Sequence, residues 1–256
     1  MPIQISAVII TFNEEKNIER CLESLQGIAD EIIVVDSFST DRTKEICLKF
    51  GVRFFEHPFS NYSEQKNFAA IQANYPFVLS LDADEALSTE LQQSIKLVKL
   101  NGNSDGYSMN RLTNYCGKWI RHAWYPDAKI RLWNFRKGKW DDKIVHENVV
   151  MEKGSTIKHL KGDLCHYSYY SLEGHLIQQN KYAANSASSL FTHGKRSSLS
   201  KIIVNPVLTF LKLYFLKQGF RDGYEGYLIA KISSFTVFMK YVYLMDLQRR
   251  NREEKG

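Results

Sequence analysis

The chain has 256 residues, of which 44% are hydrophobic and 24% charged, a composition that excludes a disordered or fibrous protein and allows a substantial core. Its net charge of +6 permits anionic partners such as nucleotide phosphates or lipid headgroups. We interpret the basic residues as scattered and interleaved with acids, which argues against a nucleic-acid-binding protein.

The compartment follows from the cysteines and from the start of the chain. The four cysteines have no C-x-x-C spacing, so we expect free thiols in a reducing compartment. The N-terminus lacks a basic region followed by an apolar region, which predicts no signal peptide. No run reaches the roughly 18 uncharged apolar residues of a spanning helix, so we expect a cytoplasmic protein.

The first part of the chain alternates predicted strands and helices. Short apolar runs predict strands over residues 5–10, 31–35, 52–55 and 77–81. Apolar residues at helical spacing follow each of the first three strands. Continuous apolar strands that alternate with helices are typical of a mostly parallel sheet covered by helices on both faces, so the predicted fold class is α/β.

The pattern changes after residue 101. Aromatic, partly alternating segments predict added antiparallel strands over residues 106–113, 129–134, 139–150 and 156–167. From Ser171 the chain is predicted to be helical. We therefore expect an α/β domain over residues 1–170, with a nucleotide-binding half (1–100) and an acceptor half (101–170), and a helical extension over 171–256.

Polar residues follow three of the predicted strands. Thr11 and Asn13 follow the first strand, Asp36 the second, and Asp82 and Asp84 the fourth. In a doubly wound sheet the ligand site lies at the carboxyl ends of the strands, beside a topological switch point. Each polar residue could instead cap a helix, which is the role predicted for Asn13, but three polar strand ends in one crevice favour a binding site.

The acidic end of the fourth strand suggests a metal site. Asp82 and Asp84 are two residues apart, so in an extended segment their side chains point the same way. Such carboxylates suit Mg²⁺ or Mn²⁺, which proteins hold with one or two carboxylates plus substrate phosphates. The alternative is an acidic cap for the helix predicted to begin near Ser88.

The turn after the first strand excludes two common nucleotide-binding classes. A dehydrogenase would carry G-x-G-x-x-G here, but residues 11–15 read TFNEE, with two acids where a phosphate would bind. The chain also lacks the P-loop pattern G-x-x-x-x-G-K-[ST]. A pyrophosphate would therefore need a divalent cation, which Asp82 and Asp84 can hold.

Together these motifs resemble the family 2 glycosyltransferases of the GT-A fold. The motifs are SAVIITFNE at 6–14, VVDSFSTD at 34–41, LDADE at 81–85, VHE at 145–147 and HYSY at 166–169. The last two are similar to the branch of lipopolysaccharide-core β-glucosyltransferases that extends the inner-core heptose. The resemblance implies inverting, metal-dependent transfer of a hexose, glucose in the first place, from a UDP-sugar to a glycolipid, lipopolysaccharide-core or polysaccharide acceptor.

The resemblance also implies which residues bind the donor. Asp36 would hydrogen-bond to the edge of the uracil base, Asp82 would face the ribose, and Lys66 would lie near the base and the phosphates. The alternative for Lys66 is a solvated charge on a helix. The implied donor-binding residues are Thr11, Asn13, Glu14, Asp36, Lys66 and Asp82.

The remaining implied roles concern the cation and the base. Asp84 and His166 would hold the divalent cation, Mg²⁺ or Mn²⁺. An inverting transfer is one displacement at the anomeric carbon and needs a base for the proton of the acceptor hydroxyl. The resemblance favours Glu147, with Asp142 as the second candidate. A salt bridge from Glu147 to an arginine such as Arg131 is the structural alternative.

The C-terminal part leaves several functions open. Residues 202–216 and 224–247 are apolar with interspersed lysines, and Lys231 and Lys240 would fall on opposite helix faces, so no clean amphipathic stripe is predicted. These segments fit core helices or peripheral contact with the anionic inner face of the cytoplasmic membrane. The alternative functions are a polyprenyl-phosphate glycosyltransferase, or a non-catalytic carbohydrate- or membrane-binding module whose nucleotide binding is weak or indifferent to metal.

Overall fold

The computed structural model describes residues 2–141 and 147–253. Its first elements agree with the predicted strands and helices to within a few residues, and a short strand, β5, is added. In chain order they are β1 (Ile5–Thr11), α1 (Ile18–Leu25), β2 (Glu31–Asp36), α2 (Thr43–Lys49), β3 (Arg53–Glu56), α3 (Tyr62–Ile71), β4 (Phe77–Asp82), β5 (Glu85–Leu87) and α4 (Thr89–Asn101).

The later elements are antiparallel strands and then helices. They are β6 (Gly106–Tyr115), β7 (Lys118–Trp119), β8 (Ala128–Asn134), β9 (Gly138–Trp140), β10 (Val149–Met151), β11 (Ile157–Tyr169), α5 (Leu172–Thr192), α6 (Leu199–Leu211) and α7 (Gly223–Glu253). A π-turn, Lys212–Leu216, follows α6, and a 3₁₀ turn, Gly219–Asp222, precedes α7. The single strand predicted over 139–150 was wrong, because β9 and β10 pair with each other antiparallel.

The large sheet has the strand order β3-β2-β1-β4-β8-β6-β11-β5. β1 pairs in parallel with both β2 and β4, so the chain winds outward to β3 and then returns to the other side of β1. β8 runs antiparallel to β4 and to β6. The chain reverses direction of winding between β1 and β4, which is the point where doubly wound sheets bind ligands at the carboxyl ends of their strands. The predicted fold class, an α/β GT-A sheet with C-terminal helices, is confirmed.

Apolar packing covers both faces of the parallel strands. All seven residues of β1 are buried, which explains why the strand reads as a continuous apolar run. One face packs on α1 and α4 through residues such as Leu22, Leu25, Leu91 and Ile95. The other face packs on α3, β8 and β9 through Ala69, Trp133 and Trp140. This packing holds the strand ends that carry the polar residues.

The chain divides into two compact units. The first comprises Met1–Leu112 and Asp127–Tyr167, and the second Thr113–Pro126 and Ser168–Gly256. In the second unit, α5 and α6 each pack on α7. The domain boundaries expected from the sequence stay a prediction.

Two helical segments of the second unit are long and apolar enough to cross a membrane by length and composition: Leu199–Leu216 and Gly219–Glu253. The expectation of no run long enough to span a membrane counted only uncharged residues, and lysines interrupt both segments. Only 6% of the first segment is buried, so it is not an ordinary core helix.

A buried aromatic cluster of the second unit surrounds His175. The His175 ring has no exposed surface, and its Nδ1 lies 2.9 Å from the hydroxyl of Tyr115. The rings of Tyr169 and Trp124 lie 4.4 and 5.9 Å away. Its Nε2 is buried and has no hydrogen-bond partner among the residues that the structure describes. Because burial disfavours the charged ring, the pKa of His175 is lowered to about 4.

We expect acid to destabilise this unit between pH 6.5 and about 4. The pKa of His175 falls from 6.5 to about 4 on folding, so the unfolded chain takes up the proton first. This contribution to stability is complete above the window and lost as pH falls, by at most about 3 kcal/mol. Thermal unfolding at pH 7 and pH 5 checks it. His175→Phe should shrink the pH effect, whereas exposed His193→Gln should not; equal effects in both variants would contradict the prediction.

Candidate active site

The end of β4 is fixed by a short turn into β5. The backbone N–H of Asp82 donates to Glu85 Oε2 at 3.0 Å. β5 pairs antiparallel with β11, which places His166 opposite Glu85, and the N–H of Tyr167 donates to the carbonyl of Asp84 at 2.9 Å. This strand pairing brings His166 beside the second aspartate of the Asp-Ala-Asp motif.

Asp84 and His166 are the candidate metal ligands. Asp84 Oδ2 lies 3.2 Å from His166 Nε2, and both side chains are mostly buried. Outside residues 1, 142–146 and 254–256, no group of three or more His, Cys, Asp or Glu side chains could hold a metal ion. Two protein ligands fit a cation whose other positions are filled by substrate phosphates and water.

Neighbouring carboxylates also fit a cation at this position. The pKa of Glu14 is raised, chiefly by burial and also by the negative charges of Asp84, Asp41 and Asp82, against a hydrogen bond from Asn17 that lowers it. Like charges held together oppose each other's ionisation. A divalent cation would relieve this repulsion.

A single buried ammonium joins the acidic strand end to Glu147. Lys66 of α3 is 2% exposed, and its Nζ lies 2.9 Å from Asp82 Oδ1 and 2.9 Å from Glu147 Oε1. The same Nζ lies 4.5 Å from the ring centroid of Trp140. The alternative of a solvated helix charge was therefore wrong for Lys66, and it is Lys66 rather than Arg131 that pairs with Glu147.

Arg131 of β8 is a second buried cation and has a different partner from the one expected. It is 3% exposed, and its Nη2 donates to Glu85 Oε1 at 2.7 Å and to Asp82 Oδ2 at 3.2 Å. Its Nε and Nη1 are buried without a hydrogen-bond partner in the described parts of the chain. Glu85 and Arg131 were not among the predicted site residues, although an arginine inside an apolar strand indicates a buried ion pair.

These charges move the pKa values of two neighbouring carboxyls in opposite directions. Burial alone would raise the pKa of Asp82, but Lys66 and Arg131 hold it well below its usual range. The pKa of Glu85 is raised, because burial and the charge of Asp82 outweigh the effect of Arg131. Asp82 therefore stays ionised and can only accept hydrogen bonds.

Asp36 organises the loop at the end of β2. Its carboxylate is 1% exposed, with Oδ2 accepting the backbone N–H of Ser39 at 2.7 Å and Oδ1 accepting the Ser39 hydroxyl at 2.5 Å. Ser39 Oγ in turn accepts the N–H of Asn13 at 2.7 Å, and Asn13 Oδ1 accepts the N–H of Thr40 at 2.8 Å. The loops after β1 and β2 are thus joined at the carboxyl edge of the sheet.

The polar residues after β1 have roles that differ from helix capping. Asn13 does not cap the first helix as predicted: its φ is 54°, and α1 begins at Ile18 after Asn17. Asparagine tolerates this left-handed conformation better than most residues. The side-chain oxygen of Asn13 accepts the backbone N–H of Thr40 instead of capping α1. Thr11 Oγ1 is buried and, within the described ranges, has no hydrogen-bond partner. It is a polar group that a ligand could satisfy.

The structure thus places the predicted site residues in the first unit, around the carboxyl ends of β1, β2 and β4. Asp142, the second candidate base, lies outside the described residues. The residues brought together here are Thr11, Asn13, Glu14, Asp36, Lys66, Asp82, Asp84, Glu147 and His166.

Comparison with known proteins identifies the family. The family described as "Glycosyl transferase family 2" matches residues 6–153. The chain belongs to this family. The glycosyltransferase is 34% identical over 260 residues to an uncharacterised glycosyltransferase of Rickettsia typhi, with 97% of this chain and 89% of the relative covered.

Two further comparisons were found. The glycosyltransferase is 30% identical to LpsC, a lipopolysaccharide core biosynthesis glycosyltransferase of Rhizobium meliloti, over 93% of this chain and 90% of the relative. The solved structure of S. aureus TarS in complex with UDP covers 97% of this chain and 92% of that chain, at 16% identity and a TM-score of 0.47. The resemblance read from the motifs is confirmed at the level of the family and of a lipopolysaccharide-core relative.

Proposed function

We propose that this family 2 glycosyltransferase is an inverting, metal-dependent enzyme. It moves a hexose, glucose in the first place, from a UDP-sugar to a glycolipid, lipopolysaccharide-core or polysaccharide acceptor. One observation carries the proposal: Lys66 lies 2.9 Å from both Asp82 and Glu147. The base implied by the resemblance is therefore adjacent to the acidic strand end that would bind the donor, as a single displacement requires. Similarity to LpsC supports the acceptor class.

The donor nucleotide would lie along the carboxyl ends of the parallel strands. Thr11, Asn13 and Asp36 would line the nucleoside pocket, where the Thr11 hydroxyl, which has no partner among residues 2–141 and 147–253, would be available to the ligand. Asp36 would use its remaining lone pairs towards the uracil edge, since Ser39 already donates to both carboxylate oxygens. Asp82, kept ionised, would accept from the ribose hydroxyls.

Asp84 and His166 would hold the divalent cation, with the carboxylate of Glu14 close by. Of Mg²⁺ and Mn²⁺, the nitrogen ligand favours Mn²⁺, because Mg²⁺ prefers oxygen. When bound, the cation would supply positive charge for the leaving diphosphate. The protein's part is to fix the two ligands, through the pairing of β5 with β11.

Glu147 would take the acceptor's proton as the acceptor oxygen bonds to the anomeric carbon and the bond to the diphosphate breaks. In the structure this carboxylate accepts a hydrogen bond from Lys66 at 2.9 Å. An incoming diphosphate would compete for that ammonium and leave Glu147 open to the acceptor hydroxyl. Lys66 would therefore act both as a phosphate contact and as a positioning residue for the base.

A glycolipid acceptor would place the reaction at the inner face of the cytoplasmic membrane, with peripheral contact to anionic lipid. The two segments long enough to cross a membrane favour a second candidate, a polyprenyl-phosphate glycosyltransferase. The two candidates differ in acceptor and share the donor site, so the donor site is tested first.

We expect UDP binding to need both Mn²⁺ and Asp84. Calorimetric titration with UDP should show binding in Mn²⁺ and little in EDTA, because the cation would join the diphosphate to the protein. Asp84→Ala should weaken binding in Mn²⁺ on the order of 100-fold. Glu90→Ala, an exposed carboxylate on α4, is the matched control and should bind normally. Binding that ignores metal and Asp84 would instead support a non-catalytic module.

A further inference from the structure

Positive charge is concentrated in residues 174–221. This segment contains seven lysines and arginines and no aspartate or glutamate, against a net charge of +6 for the whole chain. All seven side chains are exposed. The earlier interpretation of basic residues as interleaved with acids was therefore wrong for this segment. Four of them, Lys201, Lys212, Lys217 and Arg221, lie in α6 and the turns that follow it.

The same stretch exposes apolar side chains along one face of a helix. Leu199, Ile203, Val207 and Leu211 recur every four residues along α6 and are 70%, 65%, 54% and 42% exposed. Leu208 of α6 and Phe215 and Leu216 of the π-turn add exposed apolar side chains, at 56%, 53% and 80%. Residues at this spacing lie on the same side of a helix. An ordinary surface helix would present polar side chains there, so the face resembles an interaction surface.

The neighbouring side of α6, which carries Pro206 and Phe210, is already occupied within the second unit. Pro206 is buried, and its carbonyl accepts the hydroxyl of Ser234 of α7 at 2.8 Å. The ring of Phe210 lies 5.3 Å from that of Tyr214 and 6.1 Å from that of Tyr227. The apolar stripe is therefore the outer side of α6, which packing on α7 leaves uncovered.

We propose that this outer face of α6, with the π-turn after it and the surrounding basic residues, is a docking surface for an anionic lipid bilayer. Apolar residues would enter the acyl boundary while lysines such as Lys201 and Lys212 bind headgroups. A second copy of the chain would bring two strongly positive surfaces together, which is unfavourable. Nucleic acid would use the charge but would not need the exposed leucines. The proposal rests on the proposed function and deepens it, because it assigns the peripheral contact with anionic lipid to named residues outside the donor site.

In this proposal, α6 lies along the membrane surface and does not cross the bilayer. α7 packs on α6 and also on α5, where the Thr236 hydroxyl donates to Gln179 Oε1 at 3.1 Å and the Tyr243 hydroxyl donates to Asn180 Oδ1 at 2.7 Å. Insertion of α6 across the bilayer would carry these polar groups and exposed Lys181 into hydrocarbon. Shallow insertion buries only the exposed stripe.

Co-sedimentation of the full chain with lipid vesicles tests the surface. We expect binding to vesicles containing phosphatidylglycerol, at least tenfold weaker binding to pure phosphatidylcholine, and loss of binding at high salt. Replacing Lys201 or Lys212 by alanine should weaken binding by about fivefold each. The assay contains no sugar or nucleotide. Vesicle binding can therefore be absent in a protein with transferase activity, and present in a protein without it.

Two matched double variants distinguish binding through the apolar stripe of α6 from binding through any exposed apolar side chain. Ile203→Gln/Val207→Gln should weaken vesicle binding at least tenfold. Leu97→Gln/Leu100→Gln removes side chains on α4 that are 63% and 66% exposed and should leave binding unchanged. Equal effects of the two pairs would overturn the proposal. A wild-type dimer that dissociates only in Ile203→Gln/Val207→Gln would also overturn it, because the stripe would then bind a second copy of the chain. Retention of the wild-type chain in bacterial membranes after alkaline carbonate extraction would overturn it as well, because the chain would then span the membrane.

Discussion

Glu147→Gln is expected to abolish transfer while leaving UDP binding intact. The glutamine keeps the size of the side chain and can still accept a hydrogen bond from Lys66, which lies 2.9 Å from Oε1 in the wild type. It cannot take up the proton of the acceptor hydroxyl, and loss of a general base costs about 10²–10⁴-fold in rate. UDP release in the presence of acceptor measures the rate, and calorimetric titration with UDP and Mn²⁺ measures binding.

Control variants distinguish loss of the catalytic base from other effects of a substitution in this region. Glu152→Gln replaces an exposed glutamate a few residues further along the chain and should keep wild-type activity. If Glu147→Gln retains more than a tenth of the activity, the base lies elsewhere, and Asp142→Asn is then the decisive variant. Loss of UDP binding together with activity would instead assign Glu147 to donor binding through Lys66.

The parallel half of the fold could be predicted because its strands and helices are determined by patterns within short stretches of the sequence. β1 is buried along its whole length and reads as Ile-Ser-Ala-Val-Ile-Ile-Thr, an almost unbroken apolar run. Asp36 and Asp82 follow such runs directly, and parallel strands end at a common edge, so their proximity follows from the sequence. Motifs tied to strand ends are therefore the part of the site that sequence reasoning places best.

The rest of the site depends on contacts between distant segments. The pairing of β5 with β11 sets His166 opposite Glu85, and a three-residue strand has no sequence signature of its own. Lys66 lies on a helix that reads as an exposed polar segment, yet its ammonium is buried between two carboxylates 16 and 81 residues away in the chain. Only the tertiary structure shows that such a charge is buried.

The apolar stripe on α6 illustrates a different failure. Lys231 and Lys240, on which the expectation of no amphipathic stripe was based, both lie on α7. The informative residues were the apolar ones of α6, and their meaning depends on exposure, because a stripe that packs on a core and a stripe that faces outward have the same sequence.

Arg131→Met is expected to destabilise the protein by about 3–5 kcal/mol, the usual result of removing one partner of a buried ion pair. The side chains of Arg131 and Glu85 are 4% and 0% exposed, so the substitution removes the nearest cation from a buried carboxylate and leaves only Arg111, at 4.0 Å. Urea unfolding followed by tryptophan fluorescence measures the loss. Lys44→Met is the matched control: its pair with Glu56 is 49% and 41% exposed and should cost about 0–1 kcal/mol.

Acid should partly restore the Arg131→Met variant, which distinguishes a lost ion pair from lost packing. The pKa of Glu85 is already raised in the wild type, chiefly by burial, and Arg131 opposes that rise. A group with a raised folded pKa favours the folded state at low pH, and this contribution is lost as pH rises through the folded pKa. The deficit should therefore be largest near pH 7 and smaller near pH 5. A deficit independent of pH, and unrelieved in Arg131→Met/Glu85→Leu, would show that Arg131 acts through packing alone.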